Sequence, residues 1–168
     1  RDAVPVVCLS GLSRNSRDFH ELAMYLSAEA QTPRRVLTLD YRGRGRSQYD
    51  PNWQNYNLGI EADDAIQGLV AAGLQHGHFI GTSRGGLIAL ALAALARDRL
   101  RAVLLNDIGP HVDPEGMARI VGFLGLPPVE KTLDALAERH ARETAAAFPG
   151  VSVAKWRSFL AGNVRETA

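Results

Sequence analysis

The hydrophobic pattern changes period several times along the chain, and each change predicts an element. Val4-Pro5-Val6-Val7-Cys8-Leu9 is a short β-rich run stopped by Ser10-Gly11. Pro5 has no N–H to give a ladder, so it belongs at the start of that strand. From Phe19 the spacing becomes helical, with Phe19, Leu22, Ala23 and Leu26 on one stripe. Arg35-Val36-Leu37-Thr38-Leu39-Asp40 reads as a second strand and Ile60 to Leu74 as a second helix. His78-Phe79-Ile80 is a third strand, and Ser83 opens a long apolar helix. Ala102-Val103-Leu104-Leu105 is a fourth strand, ending at Asn106-Asp107. Strand and helix in alternation predict an α/β fold, a parallel sheet with helices on both faces.

The pattern is different after Pro110. Asp113-Pro114-Glu115 is a helix start, with Asp as cap and Pro in the first turn. Leu126-Pro127-Pro128 ends that helix. Leu133, Leu136, Ala137, His140 and Ala141 mark a second apolar stripe, and Trp156, Phe159 and Leu160 a third. The only strand candidate there is Val151-Ser152-Val153. The expectation is a core over 1–110 and a helical cap region over 111–168, laid over the sheet's carboxyl edge.

Composition narrows the function classes. With 168 residues, 46% hydrophobic and 22% charged, the chain has an ordinary globular make-up. Nineteen basic and eighteen acidic residues give a net charge of +1, so bulk charge points neither to nucleic acid nor to an anionic membrane. Cys8 is alone, which excludes an intrachain disulfide and suits a reducing, cytoplasmic compartment. No run reaches the roughly twenty apolar residues of a membrane span. No signal peptide is visible; the chain opens at Arg1, and sequence upstream is expected.

In parallel α/β sheets ligands bind beyond the carboxyl ends of the strands. Ser10-Gly11, Asp40, Gly81-Thr82-Ser83 and Asn106-Asp107 all fall there. Gly81-Thr82-Ser83-Arg84-Gly85 also fits G-x-S-x-G, which lifts a serine hydroxyl on a strained strand-to-helix turn. Such a turn needs neighbours nearly free of side chain, and Gly81, Gly85 and Gly86 supply them. Ser83 is then the candidate nucleophile. The backbone N–H of Arg84 and that of Leu12, in the loop after the first strand, are the candidate oxyanion donors.

Four stretches, CLSGLSRNSRDF (8–19), VLTLDYRGRGRS (36–47), FIGTSRGGLIAL (79–90) and VLLNDIGP (103–110), occur in the order of the α/β-hydrolase superfamily. The chain resembles its small bacterial esterase, lactonase and haloperoxidase-like members. The resemblance implies the roles given above for Ser83, Leu12 and Arg84. Ser10 stands where many members have histidine, and Arg84 where Met, Leu or Gln are commoner. The resemblance puts the catalytic acid and histidine beyond the cap, after Ala168, and antiparallel strands before Arg1, so an internal piece of a longer hydrolase is expected. No catalytic histidine is expected in this chain.

The remaining polar residues receive plainer readings. His20 is read as a surface residue. His76 and His78 lie at the sheet's amino end, and His140 on a helix stripe. His111 is near the right edge but too close in sequence to Asp107 to serve it and Ser83 in line. Asp107 is a candidate acid, since some relatives carry theirs at this strand's end, although a carboxylate capping its own loop is the favoured reading. Asp40 reads as a turn carboxylate. Arg42, Arg44 and Arg46 read as a structural loop bent by Gly43 and Gly45 rather than an RNA-binding tract. Asp63-Asp64 read as a solvated face rather than a metal site. Trp53 and Tyr56 line the pocket or pack beneath it.

No cofactor, metal, nucleic-acid or membrane partner is expected. The expected function is a serine hydrolase acting on a small, fairly hydrophobic carboxylic ester, lactone or related carbonyl substrate through an acyl-enzyme. Halide and epoxide chemistry in this superfamily uses an aspartate nucleophile, which Ser83 argues against. The alternative is a ligand-binding protein on the same fold. The 168-residue chain by itself is a candidate for self-association or for pairing with a complementary chain.

Overall fold

A computed structural model describes residues 3–164. They form two compact units, one ending at Val112 and the other beginning at Asp113.

The first unit is built on four parallel strands: β1 (Val6–Leu9), β2 (Val36–Thr38), β3 (Gly77–Thr82) and β4 (Leu100–Asn106), in the order β2-β1-β3-β4. Val6 pairs with Val36 on one side and His78 on the other, and Thr82 pairs with Asn106. Pro5 gives no N–H, but its carbonyl still accepts from His78 N–H at 2.8 Å. The third and fourth strands are longer than the apolar runs predict: Gly77, Gly81 and Thr82 extend β3, and Leu100, Arg101 and Asn106 extend β4.

Residues of β1, β2 and β3 alternate between two cores. Val7, Leu9 and Phe79 point to the face covered by α2 (Leu58–Ala71) and α3 (Arg84–Leu95), meeting Ala62, Ala65, Leu69, Ile88, Ala89 and Leu92. Val6 and Cys8 point the other way, onto Phe19, Leu26, Val36 and Ile80. Each fully buried Leu, Ile or Phe contributes roughly 1.5–3 kcal/mol, so these two layers hold the sheet.

The first helical segment departs from its predicted stripe. Leu22 is exposed, and the inward residues are Phe19, Ala23, Leu26 and Ala30. The segment is a 3₁₀ turn at Ser16–Phe19, then α1 (His20–Met24), then a π turn at Tyr25–Glu29. The inward residues still keep the helical period, and Leu22 falls at the edge of their stripe, where it reaches solvent.

The second unit holds α4 (Pro114–Phe123), α5 (Leu133–Thr144) and α6 (Val153–Leu160). Asp113, Thr132 and Ser152 cap them, each side-chain oxygen accepting from an N–H of the first turn. Its core is Leu136, Ala137, Trp156 and Leu160. Val151-Ser152-Val153 forms no strand, because Ser152 is committed to capping α6.

Candidate active site

Ser83 sits between β3 and α3 with φ 50° and ψ −115°, a conformation a non-glycine residue adopts only when its surroundings impose it. Those surroundings are identifiable. Its N–H donates to the Asn106 carbonyl of β4 at 3.0 Å, and its own carbonyl accepts from Gly86 N–H at 2.9 Å. A Cβ on Gly85 would overlap the Leu9 carbonyl oxygen, and one on Gly81 would lie 2.5 Å from the Gly85 oxygen. One on Gly86 would overlap the Ile108 side chain. The three glycines let helix, strand and turn approach closely enough to force the bend.

The Ser83 side chain is half-buried and does not cap α3, and its hydroxyl bonds to no other group among the described residues. Gly11 lies alongside: a Cβ built on it would be 3.8 Å from Ser83 Cβ. The Gly11–Leu12 peptide therefore starts beside the serine, and the Ser83–Arg84 peptide follows it. Neither Leu12 N–H nor Arg84 N–H donates to any other described residue. The Gly11–Leu12 peptide and Arg84 are thus neighbours of Ser83 and carry two uncommitted amides, that of Leu12 in the loop after β1 and that of Arg84 at the head of α3, where partial positive charge favours an anion.

Beyond its backbone, Arg84 Nε donates to Glu61 Oε2 on α2 at 2.7 Å. Glu61 is buried, and burial pushes the neighbouring Tyr41 hydroxyl far above its ordinary value, helped by the Glu61 charge. Glu61 was not among the candidates read from sequence. Its signal was available: it shares a helical face with Ala65 and Leu69, both fully buried, and a lone carboxylate on an apolar stripe needs a cation.

The arginine loop is structural, as its glycines predict. Gly43 and Gly45 have φ of 69° and 52°. Asp40 is the turn carboxylate expected, accepting from Ser16 N–H at 2.7 Å and Arg46 N–H at 3.0 Å. Arg42 clamps Asp64 with two nitrogens and reaches Asp50 with a third, so the reading of Asp64 as a solvated residue is corrected; Asp63 is exposed. Arg44 Nε donates to the Leu12 carbonyl at 2.9 Å, and its Nη1 to the Gly43 carbonyl at 3.0 Å. Tyr56 packs on Gly43 and exchanges hydrogen bonds with the Asp50 backbone, whereas Trp53 is exposed.

None of the four histidines of the first unit, His20, His76, His78 and His111, hydrogen-bonds to Ser83. His20 and His111 are exposed, and His140 packs edge-on against Trp156 with ring centroids 4.5 Å apart. His76 and His78 lie at the amino end of β3; burial holds the His78 imidazole below its usual range. Asp107 is exposed with φ 54°, and its carboxylate accepts no hydrogen bond among the described residues, so it does not cap its loop. Ser10 Oγ is buried without a partner. No cluster of three or more His, Cys, Asp or Glu side chains suited to a metal ion occurs among the described residues.

A family model described as the alpha/beta hydrolase fold matches residues 4–162. The chain belongs to the alpha/beta hydrolase family. Within that family, it is 36% identical over 129 residues to the 3-hydroxybutyrate-oligomer hydrolase of Cupriavidus necator, a match covering 77% of this chain and 43% of that protein. It is 32% identical over 106 residues to the esterase YbfF of Escherichia coli, covering 63% of this chain and 39% of that one. The crystal structure of an alpha/beta hydrolase from Novosphingobium aromaticivorans superposes with a TM-score of 0.80 at 36% identity, over 93% of this chain and 53% of that chain. The chain thus spans about half, or less, of the length of these alpha/beta hydrolases. Its relatives are hydrolases, and no helix among its described residues is long and apolar enough to cross a membrane.

Proposed function

We propose that Ser83 is the nucleophile of a serine hydrolase acting on a small, fairly hydrophobic carboxylic ester, lactone or related carbonyl compound. One observation carries this reading: a strained, uncommitted serine hydroxyl at the head of α3, followed by the free amide of Arg84 and beside the loop that carries the free amide of Leu12. In the proposed reaction Ser83 Oγ attacks the carbonyl carbon while its proton passes to an imidazole. The Leu12 and Arg84 amides receive the developing oxyanion. The ester C–O bond then breaks, the imidazole returns the proton to the departing alkoxide, and an acyl-Ser83 remains. Water repeats the sequence and releases the acid.

The imidazole is proposed to come from a histidine other than the five of this chain. Asp107 is proposed as its orienting acid, being uncommitted and next to the Asn106 carbonyl that holds Ser83 N–H. An oligoester of a short hydroxy acid, the substrate in the Cupriavidus relative's name, is the first compound to assay.

A fluorophosphonate probe tests the nucleophile. In the full-length protein it is expected to label Ser83, and Ser83→Ala is expected to lose both the label and ester hydrolysis. Labelling at another residue, or hydrolysis surviving in Ser83→Ala, rejects the reading.

A further inference from the structure

We propose that Arg44 is a positioning residue for the oxyanion loop, fixing the direction of the Leu12 N–H through the carbonyl on the other side of the same residue. The proposal rests on the serine-hydrolase reading. It adds a side chain that none of the catalytic roles above includes.

A backbone donor stabilises an oxyanion only if its N–H already points at the place where charge develops. A loop residue has two soft dihedrals, so both peptides flanking Leu12 must be held. The first is held locally: the Gly11 carbonyl accepts from Arg14 N–H at 3.1 Å. In a planar trans peptide the C=O and the following N–H point in opposite directions. That bond therefore turns the Leu12 N–H away from Arg14. It leaves the second peptide, Leu12–Ser13, free to swing. Arg44 Nε closes that freedom by donating to the Leu12 carbonyl at 2.9 Å.

The guanidinium doing this is itself fixed. Its Nη1 donates to the carbonyl of its neighbour, Gly43, at 3.0 Å. Gly43 in turn is a left-handed residue packed against the Tyr56 ring. Arg44 also differs from the arginines around it. Arg14 pairs with Asp18, Arg42 with Asp64 and Asp50, and Arg84 with Glu61. Among the described residues Arg44 faces no carboxylate, and its donors go to backbone oxygens. A charge-assisted bond to a carbonyl is stronger than a neutral one, and the planar fork lets one side chain serve two carbonyls at once. The RGRGRS turn thus reaches from the end of β2 to the loop after β1 and stiffens it.

Steady-state kinetics on the full-length protein test the proposal, with Ser83→Ala as the control for the reading beneath it. Arg44→Met is expected to lower kcat about tenfold to a hundredfold, less than the roughly 10²–10³ of losing an oxyanion donor outright. KM should change less than threefold. A trifluoromethyl ketone, which becomes an oxyanion on the serine, should lose affinity in proportion to kcat/KM. Arg44→Lys should fall between wild type and Arg44→Met, and added guanidinium at non-denaturing concentration should restore part of the Arg44→Met activity. Thermal unfolding of each variant separates lost positioning from lost folding. Should Arg44→Met keep kcat within twofold, or raise KM alone, the positioning role is wrong while the serine reading stands. Should Ser83→Ala remain active, the serine reading is itself wrong.

Discussion

Arg84 and Glu61 form a side-chain ion pair, Nε to Oε2 at 2.7 Å, linking the residue after Ser83 to the neighbouring helix. Glu61 is 4% exposed, so its charge has no water to fall back on. Arg84→Met is therefore expected to cost about 3 kcal/mol, the penalty of an orphaned interior carboxylate. Arg84→Met combined with Glu61→Leu should regain most of that loss, because an apolar pair removes the charge as well as its partner. Urea denaturation of the two single variants and the double variant measures the coupling.

The bend at Ser83 gives two substitutions of opposite sign. Gly85→Ala puts a methyl where the Leu9 carbonyl stands, and it should destabilise by about 3 kcal/mol or more. Ser83→Gly relieves a φ of 50° and should stabilise by about 1 kcal/mol while removing the hydroxyl. Equilibrium unfolding midpoints decide both.

Cys8 sits in the middle of β1, fully buried, and burial pushes its thiol up to about 11. The thiolate is the reactive form, so near pH 8 the native protein should react with a disulfide reagent only as fast as it opens. Labelling should become immediate in denaturing urea. Rapid native labelling would show that β1 is exposed in solution.

His78 adds a pH dependence of known sign. Burial first, and then the charges of Arg34 and His76, hold its imidazole below the 6.5 of an unperturbed histidine. Below about 6.5 the unfolded chain takes up the proton and the folded one resists it, so stability is complete above that pH and falls as the solution is acidified. His78→Gln should flatten the decline in melting temperature between about pH 7 and pH 5.

These contrasts show what could be read from the chain alone. Strand positions were legible because Val6 to Leu9 and Phe79 belong to continuous apolar runs, and the bend because three glycines crowd one serine. In the first helical segment Leu22 misled because it lies at the edge of the inward stripe, and an apolar residue there need not be buried. The Arg42–Asp64, Arg84–Glu61 and Arg44–Leu12 contacts join residues 22, 23 and 32 positions apart, and their partners become evident only once β2, α2 and the loop after β1 are packed together.

The hydrophobic clusters of the sheet and of the C-terminal helices have no buried residue in common. Each unit therefore supplies its own apolar centre, Phe79 within one and Trp156 within the other, and a truncation at either is expected to act first on the unit that holds it.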